Sequence, residues 1–146
     1  MGGWAPPIGI EYRVDLINVF VLVVVSGVGS VIIPFARTGT AARFNDTDQA
    51  WFYAMYLLAL TGLLGVTITG DAFNIFVFLE ISSLASYVMI AMGRDRRALT
   101  AAYQYLIMGT VGATFIVIGI GLLWAMTGTL NLADLAQRIP EINDTR

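Results

Sequence analysis

Four stretches, Leu16 to Phe35, Trp51 to Thr69, Ala72 to Met92 and Ala101 to Met126, are almost wholly apolar. A helix rises 1.5 Å per residue, so about 20 such residues cross the hydrocarbon of a bilayer. Together the four runs fill most of a 146-residue chain. A strand reading fails, because each run is several times a normal strand and an open sheet edge cannot be satisfied in lipid. The expected fold is all-α: a multi-pass transmembrane helix bundle of about four spanning helices plus a short amphipathic C-terminal helix.

Composition agrees. Apolar residues make up 58% of the chain and charged ones 12%, which fits a membrane protein better than a water-facing globule. No low-complexity tract or repeat divides the sequence, so residues 1–146 are expected to form a single membrane domain. Cysteine and histidine are absent, which removes disulfides, thiolate ligands and imidazole proton shuttles. No cofactor or metal site is readable. All eight basic residues are arginine, so no lysine is available to titrate within the membrane.

Gly2 to Tyr12 reads as an irregular segment stiffened by Pro6 and Pro7, with Gly9 permitting a turn and Trp4 suited to an interface. No targeting signal is readable. Arginines in short loops mark the cytoplasmic side. Arg37, Arg43, Arg94, Arg96 and Arg97 fall on one side, against Arg13, Arg138 and Arg146 on the other. This places both chain ends outside. The aromatic group Trp51, Phe52, Tyr53 and Tyr56, with Tyr103 and Tyr105, then marks the inner interface, and Trp124 the outer one.

Pro34, in the last turn of the first span, ends or bends a helix, and a helix stop is the expectation there. Small residues four apart, as in Ser26 and Ser30, Ser82 and Ser86, or Gly109 and Ala113, allow close helix approach. Asp71 is placed to cap the third helix. Past the fourth span, Asn131 caps a short helix whose Leu132, Leu135, Ala136 and Ile139 share a face, with Pro140 as its stop; it is expected to lie along the membrane surface.

Glu80 is the one ionisable group near the middle of a span. The ten Phe, Ile, Leu and Val residues of the third run favour insertion by about 0.3 to 0.6 kcal/mol each, against about 3 kcal/mol for a central acid. The helix inserts without surplus. Asn74, Ser82, Ser83 and Ser86 narrow the margin further, so this polar side is expected to face protein or internal water. Ser83 and Tyr87, three and seven residues on, fall on the face of Glu80 and offer hydroxyls to its carboxylate. Burial favours the protonated carboxyl and a nearby cation the ionised one; a group balanced between them exchanges protons. A structural reading stands beside it, in which a permanently protonated Glu80 only hydrogen-bonds a neighbouring helix. Arg94, Asp95, Arg96 and Arg97 read first as a solvated topology determinant.

The segment Thr69 to Gly93, TGDAFNIFVFLEISSLASYVMIAMG, and its continuation Arg94 to Ile107, RDRRALTAAYQYLI, resemble the antiporter-like proton channel subunits shared by complex I and Mrp-type monovalent cation/proton antiporters. The likeness is strongest to the D-type subunits of the Mrp antiporters, and Gly2 to Ile10, GGWAPPIGI, resembles their outer loop. The resemblance implies that Glu80, within Phe78-Leu79-Glu80-Ile81, is the proton relay. It also implies that the chain is a piece of a subunit with about fourteen spans, in which a lysine on a later helix pairs with the glutamate.

From that resemblance the expected function is a proton-translocating membrane subunit of a multisubunit sodium/proton antiporter in a bacterial plasma membrane. Its partners would be other subunits of a hetero-oligomer, protons, sodium and the bilayer, without nucleic acid. The alternatives are the equivalent subunit of a complex I-type NADH-quinone oxidoreductase or membrane-bound hydrogenase, and a scaffold fragment that transports nothing. No catalytic centre of its own is legible, so any enzymatic label would come from partners.

Overall fold

The computed structural model describes residues 4–6, 8–93 and 95–142. Pro7, Arg94 and Arg146, used above to argue stiffness and orientation, lie outside them. The described residues form α1 (Leu16–Ala41), α2 (Asp46–Ile68), α3 (Ala72–Ala91), α4 (Arg96–Thr127) and α5 (Leu132–Arg138), followed by one 3₁₀ turn (Ile139–Glu141). The first four are each long and apolar enough to cross a membrane. The chain is a multi-pass membrane protein.

Each long helix begins at a side-chain cap that satisfies amide groups the helix leaves free. Asp15 accepts from Ile17 N and Asn18 N at 3.0 Å, and Asn18 accepts in return from Asp15 N. Asn45 accepts from Asp48 N at 2.8 Å, Asp71 from Asn74 N at 2.9 Å and Asp95 from Arg97 N at 3.3 Å. Asn131 caps α5 through Ala133 N and Asp134 N. At the far end of α4, Gly128 takes φ 71°, the left-handed turn that closes many helices and that glycine adopts without strain.

Pro34 does not stop α1, which runs on to Ala41. The expectation of a helix end there is corrected. Hydroxyls bond back to the turns on both sides of the proline: Ser30 to Ser26 O at 2.7 Å before it, Thr38 to Phe35 O at 2.9 Å and Thr40 to Ala36 O at 2.8 Å after it. Thr40 is buried and lies 3.3 Å from the Tyr53 hydroxyl of α2. The segment after the proline is thus anchored to a neighbour, as membrane helices with proline require.

Helices adjacent in sequence pack side by side: α1 on α2, α2 on α3, α3 on α4. The buried apolar residues are mostly small, among them Ala59, Ala72, Ala85 and Ala102, and no large side chain is wholly enclosed among the described residues. Backbone proximity replaces side-chain interdigitation. A Cβ on Gly62 would come within 2.7 Å of Phe78 O and Ser82 N, and one on Gly65 would enter the Phe78 ring. Glycine at both positions lets α2 and α3 touch. Ser26 and Ser30, by contrast, are exposed and bond only to their own helix.

The loops at one end are braided. Tyr12 pairs with Thr69 and Asp71 with Asn131 as isolated bridges. Arg13 N donates to Ile68 O, Gly70 N to Glu11 O, Ala72 N to Leu130 O and Leu132 N to Gly70 O, all at 2.8 to 3.0 Å. Asn18 Nδ2 donates to Thr67 O. The segment before α1, read from sequence as merely irregular, is therefore tied to the α2–α3 turn at Glu11 to Arg13.

Candidate functional site around Glu80

α3 lies between α2 and α4, and its two flanks differ chemically. At 3.6 residues per turn, Glu80, Ser83 and Tyr87 fall within an arc of about 60°, roughly opposite Ser82. Ser82 meets Gly62 of α2. Tyr87 is buried against α4, with its ring edge-on to Tyr105 at 4.9 Å and 88°. Its hydroxyl occupies the space that a Cβ on Gly109 would need. The Glu80 flank is thus the α4 side. Since Ala72 N meets Leu130 O near the start of α3 and Tyr87 meets Gly109 further along, the two helices run antiparallel. Glu80, seven residues before Tyr87, stands level with α4 at about seven residues beyond Gly109.

Exposure along α3 sorts by polarity. Phe73, Leu84, Val88 and Ile90 are its exposed positions, all apolar, whereas Asn74, Glu80, Ser82, Ser83 and Ser86 are part-buried. The polar groups therefore avoid the outward face, as insertion energetics require.

The Glu80 carboxylate has no hydrogen-bond or ion-pair partner among the described residues; the single ion pair there joins Arg138 to Asp134. Most hydroxyls in the spans bond back to a carbonyl three or four residues earlier, including Ser26, Ser30, Thr61, Thr67, Ser86, Thr110, Thr114 and Thr127. Ser83 and Tyr87 make no such bond, and neither does Ser82 on the opposite flank. The structure places Ser83 and Tyr87 on the face of Glu80 but does not join the three directly. Ser83 is one turn along the helix and Tyr87 about 10 Å along it.

A groove of about 400 Å³ opens on the other side of α3, between α1, α2 and α3. Its lining is apolar apart from Tyr56, Ser82 and Ser86, and the Tyr56 and Ser86 hydroxyls are committed to Gly29 O at 2.7 Å and Ser82 O at 2.8 Å. The Ser82 hydroxyl is its one uncommitted polar group among the described residues, and it points from the flank of α3 roughly opposite Glu80. Tyr56 and Tyr53, assigned from sequence to an interfacial belt, also hold α2 to α1.

Sequence reasoning missed the role of Arg138. Its Nε donates to Asp134 Oδ1 at 2.9 Å and its Nη1 to Thr127 O at 2.9 Å, which fastens α5 to the end of α4. The Arg138 bond, and secondarily the Thr129 hydroxyl beside it, hold the Asp134 carboxyl below the usual carboxylate range. The i, i+4 spacing of Asp134 and Arg138 was the available signal.

The half of the chain that carries this flank is shared with known proteins. Residues 69–145, which hold α3, Glu80, α4 and α5, match the family described as NADH:quinone oxidoreductase/Mrp antiporter, TM. The chain is 47% identical over 145 residues to the N-type subunit of the NADH-quinone oxidoreductase of Desulforudis audaxviator, covering 99% of this chain and 28% of that protein. It is 32% identical over 145 residues to the D-type subunit of the Na(+)/H(+) antiporter of Alkalihalophilus pseudofirmus, covering 99% and 29%. Its fold resembles a chain in the structure of the membrane-bound sulfane sulfur reductase, an archaeal respiratory membrane complex, with a TM-score of 0.79 and 34% identity over 97% of this chain and 28% of that one. The chain thus spans less than a third of the length of these relatives. It belongs to the NADH:quinone oxidoreductase/Mrp antiporter transmembrane family.

Proposed function

We propose that the chain forms part of a proton-translocating subunit of a multisubunit sodium/proton antiporter, with Glu80 as its proton relay. One observation carries this reading: a carboxylate without a partner among the described residues stands in mid-span on the α3–α4 flank, on the same helix face as two hydroxyls that no backbone carbonyl has taken up. A proton arriving at Glu80 neutralises the carboxylate, and its departure restores the charge. The Ser83 hydroxyl donates to the charged form, and Tyr87 extends the polar face towards one end of the span. A lone carboxylate in a span also calls for a compensating cation, which neighbouring parts of the assembly would supply.

A second reading is the equivalent subunit of a redox-driven complex. The 47% identity to a quinone oxidoreductase subunit exceeds the 32% to the antiporter subunit, and the similar structure comes from a respiratory complex. Both readings assign Glu80 the same work and differ in what drives it. The membrane is read as a bacterial plasma membrane, with the arginine-rich end of the spans in the cytoplasm.

Glu80→Gln in the intact assembly tests the shared claim. It abolishes sodium-dependent proton exchange while the assembly still forms; unchanged exchange refutes the relay. Copurification of quinone-reducing activity with the chain identifies the redox-driven reading.

A further inference from the structure

The end of the helices that holds the α1–α2 and α3–α4 loops carries Arg37, Arg43, Arg96 and Arg97 among the described residues, all exposed and none in an ion pair. Acids are present there too, but they serve helix starts. Asp46 and Asp48 lie in the first turn of α2, and Asp95 caps α4, where the helix dipole favours negative charge. The guanidiniums remain uncompensated. At the opposite end the balance reverses, with Glu11, Asp15, Asp71, Asp134 and Glu141 against Arg13 and Arg138.

Two grooves open at the arginine end. One, of about 560 Å³, lies between Arg43 and Phe44 on one side and Gly93, Asp95 and Ala98 on the other; the Asp95 carboxylate there is engaged by the Arg97 backbone amide. The next, of about 360 Å³, is lined by Arg96, Arg97, Thr100 and Gln104. Guanidinium forks bind phosphate oxygens through paired hydrogen bonds, and Thr100 and Gln104 add neutral donors. Trp51 and Tyr103, 59% and 65% exposed, belong to the same end, where aromatic rings settle at headgroup level.

We propose that this end binds the phosphate headgroup of an anionic phospholipid, held by Arg43 in one groove and by the Arg96 and Arg97 pair in the other. The first groove lies between the α1–α2 and α3–α4 connections and the second along the start of α4; charge complementarity with an anionic leaflet favours acidic over zwitterionic lipid at both. The inference is independent of whether Glu80 carries protons.

The test uses the protein extracted from membranes containing equal phosphatidylglycerol and phosphatidylcholine, with retained lipid counted by mass spectrometry. Phosphatidylglycerol is retained in excess. Joint replacement Arg43→Gln, Arg96→Gln and Arg97→Gln removes the excess, at about fivefold weaker retention per arginine, whereas Arg13→Gln at the opposite end preserves it. Equal retention of the two lipids by the native protein, or an excess that survives the triple replacement, overturns the proposal. Loss of the excess with Arg13→Gln overturns it as well, since net charge alone then explains retention. Should the triple variant not fold, thermal unfolding of the native protein decides: phosphatidylglycerol raises Tm more than phosphatidylcholine does, an equal rise refutes the site, and inorganic phosphate at matched ionic strength reproduces the shift only if no lipid is required.

Discussion

The hydroxyl of Tyr87 sits against Gly109, in space that any larger residue on α4 would claim. This contact sets the spacing of α3 and α4 next to the flank that carries Glu80. Gly109→Ala therefore overpacks the interface and destabilises the protein by about 1 to 3 kcal/mol. Tyr87→Phe removes the atom closest to the new methyl group. In a double-mutant cycle read by thermal unfolding in detergent, the pair Tyr87→Phe and Gly109→Ala loses less than the two single losses combined. Strict additivity would show that the two residues do not touch.

The α2–α3 contact makes a graded prediction. A methyl group at position 62 meets backbone atoms of Phe78 and Ser82 at 2.7 Å, whereas the nearest atoms to one at position 65 belong to the Phe78 ring. A ring can swing aside and a helix backbone cannot. Gly62→Ala should lower Tm more than Gly65→Ala, and adding Phe78→Leu should recover part of the loss at 65 and little at 62. Equal losses, or equal recovery, would contradict this geometry.

Much of the scaffold was legible because its causes are local. Apolar run length gave the four spans, and Asp71 and Asn131 announced their helix caps by position and type. What escaped was non-local. Nothing in the sequence couples Tyr12 to Thr69 or Asp71 to Asn131, since those bridges join segments brought together only by the folded loops. Pro34 misled because the rule for proline is written for a free helix, and the turns after it are anchored through Thr40 and Tyr53. Gly62 and Gly65 were overlooked for a different reason. In lipid, both sides of a helix are apolar, so hydrophobic periodicity cannot show which side meets protein. Polarity could, and the part-buried polar residues of α3 stand where insertion energetics put them.

The Asp134–Arg138 pair predicts a pH dependence of defined sign. The folded carboxyl titrates below its ordinary range, chiefly because of its bond to Arg138. The contribution of the pair is thus complete above the unfolded value of about 3.9 and disappears as pH falls through the lower folded one. Hydrogen exchange at the amides of α5 should be flat from neutral pH down to about 4 once corrected for intrinsic rates, and accelerate only below it. Asp134→Asn should speed α5 exchange at neutral pH and abolish that acid dependence. An onset of loosening near neutrality would assign the transition to another group.

Ser83 and Tyr87 separate transport from architecture. If Glu80 relays protons with their help, Ser83→Ala and Tyr87→Phe reduce proton flux in the intact assembly, while neither removes the carboxylate or a large part of the packing. A general acid–base partner contributes about 100-fold or more, and a hydroxyl acting only through the solvation of Glu80 less than that. The expected order is therefore Glu80→Gln far below Tyr87→Phe and Ser83→Ala, and these below the native protein. Stability moves differently. Glu80→Leu exchanges a mid-span acid for an insertion-favouring residue, so it should raise Tm while abolishing flux. A scaffold that transports nothing would show the gain in Tm with no loss of function in its assembly, and that pairing of measurements would remove Glu80 from any proton path.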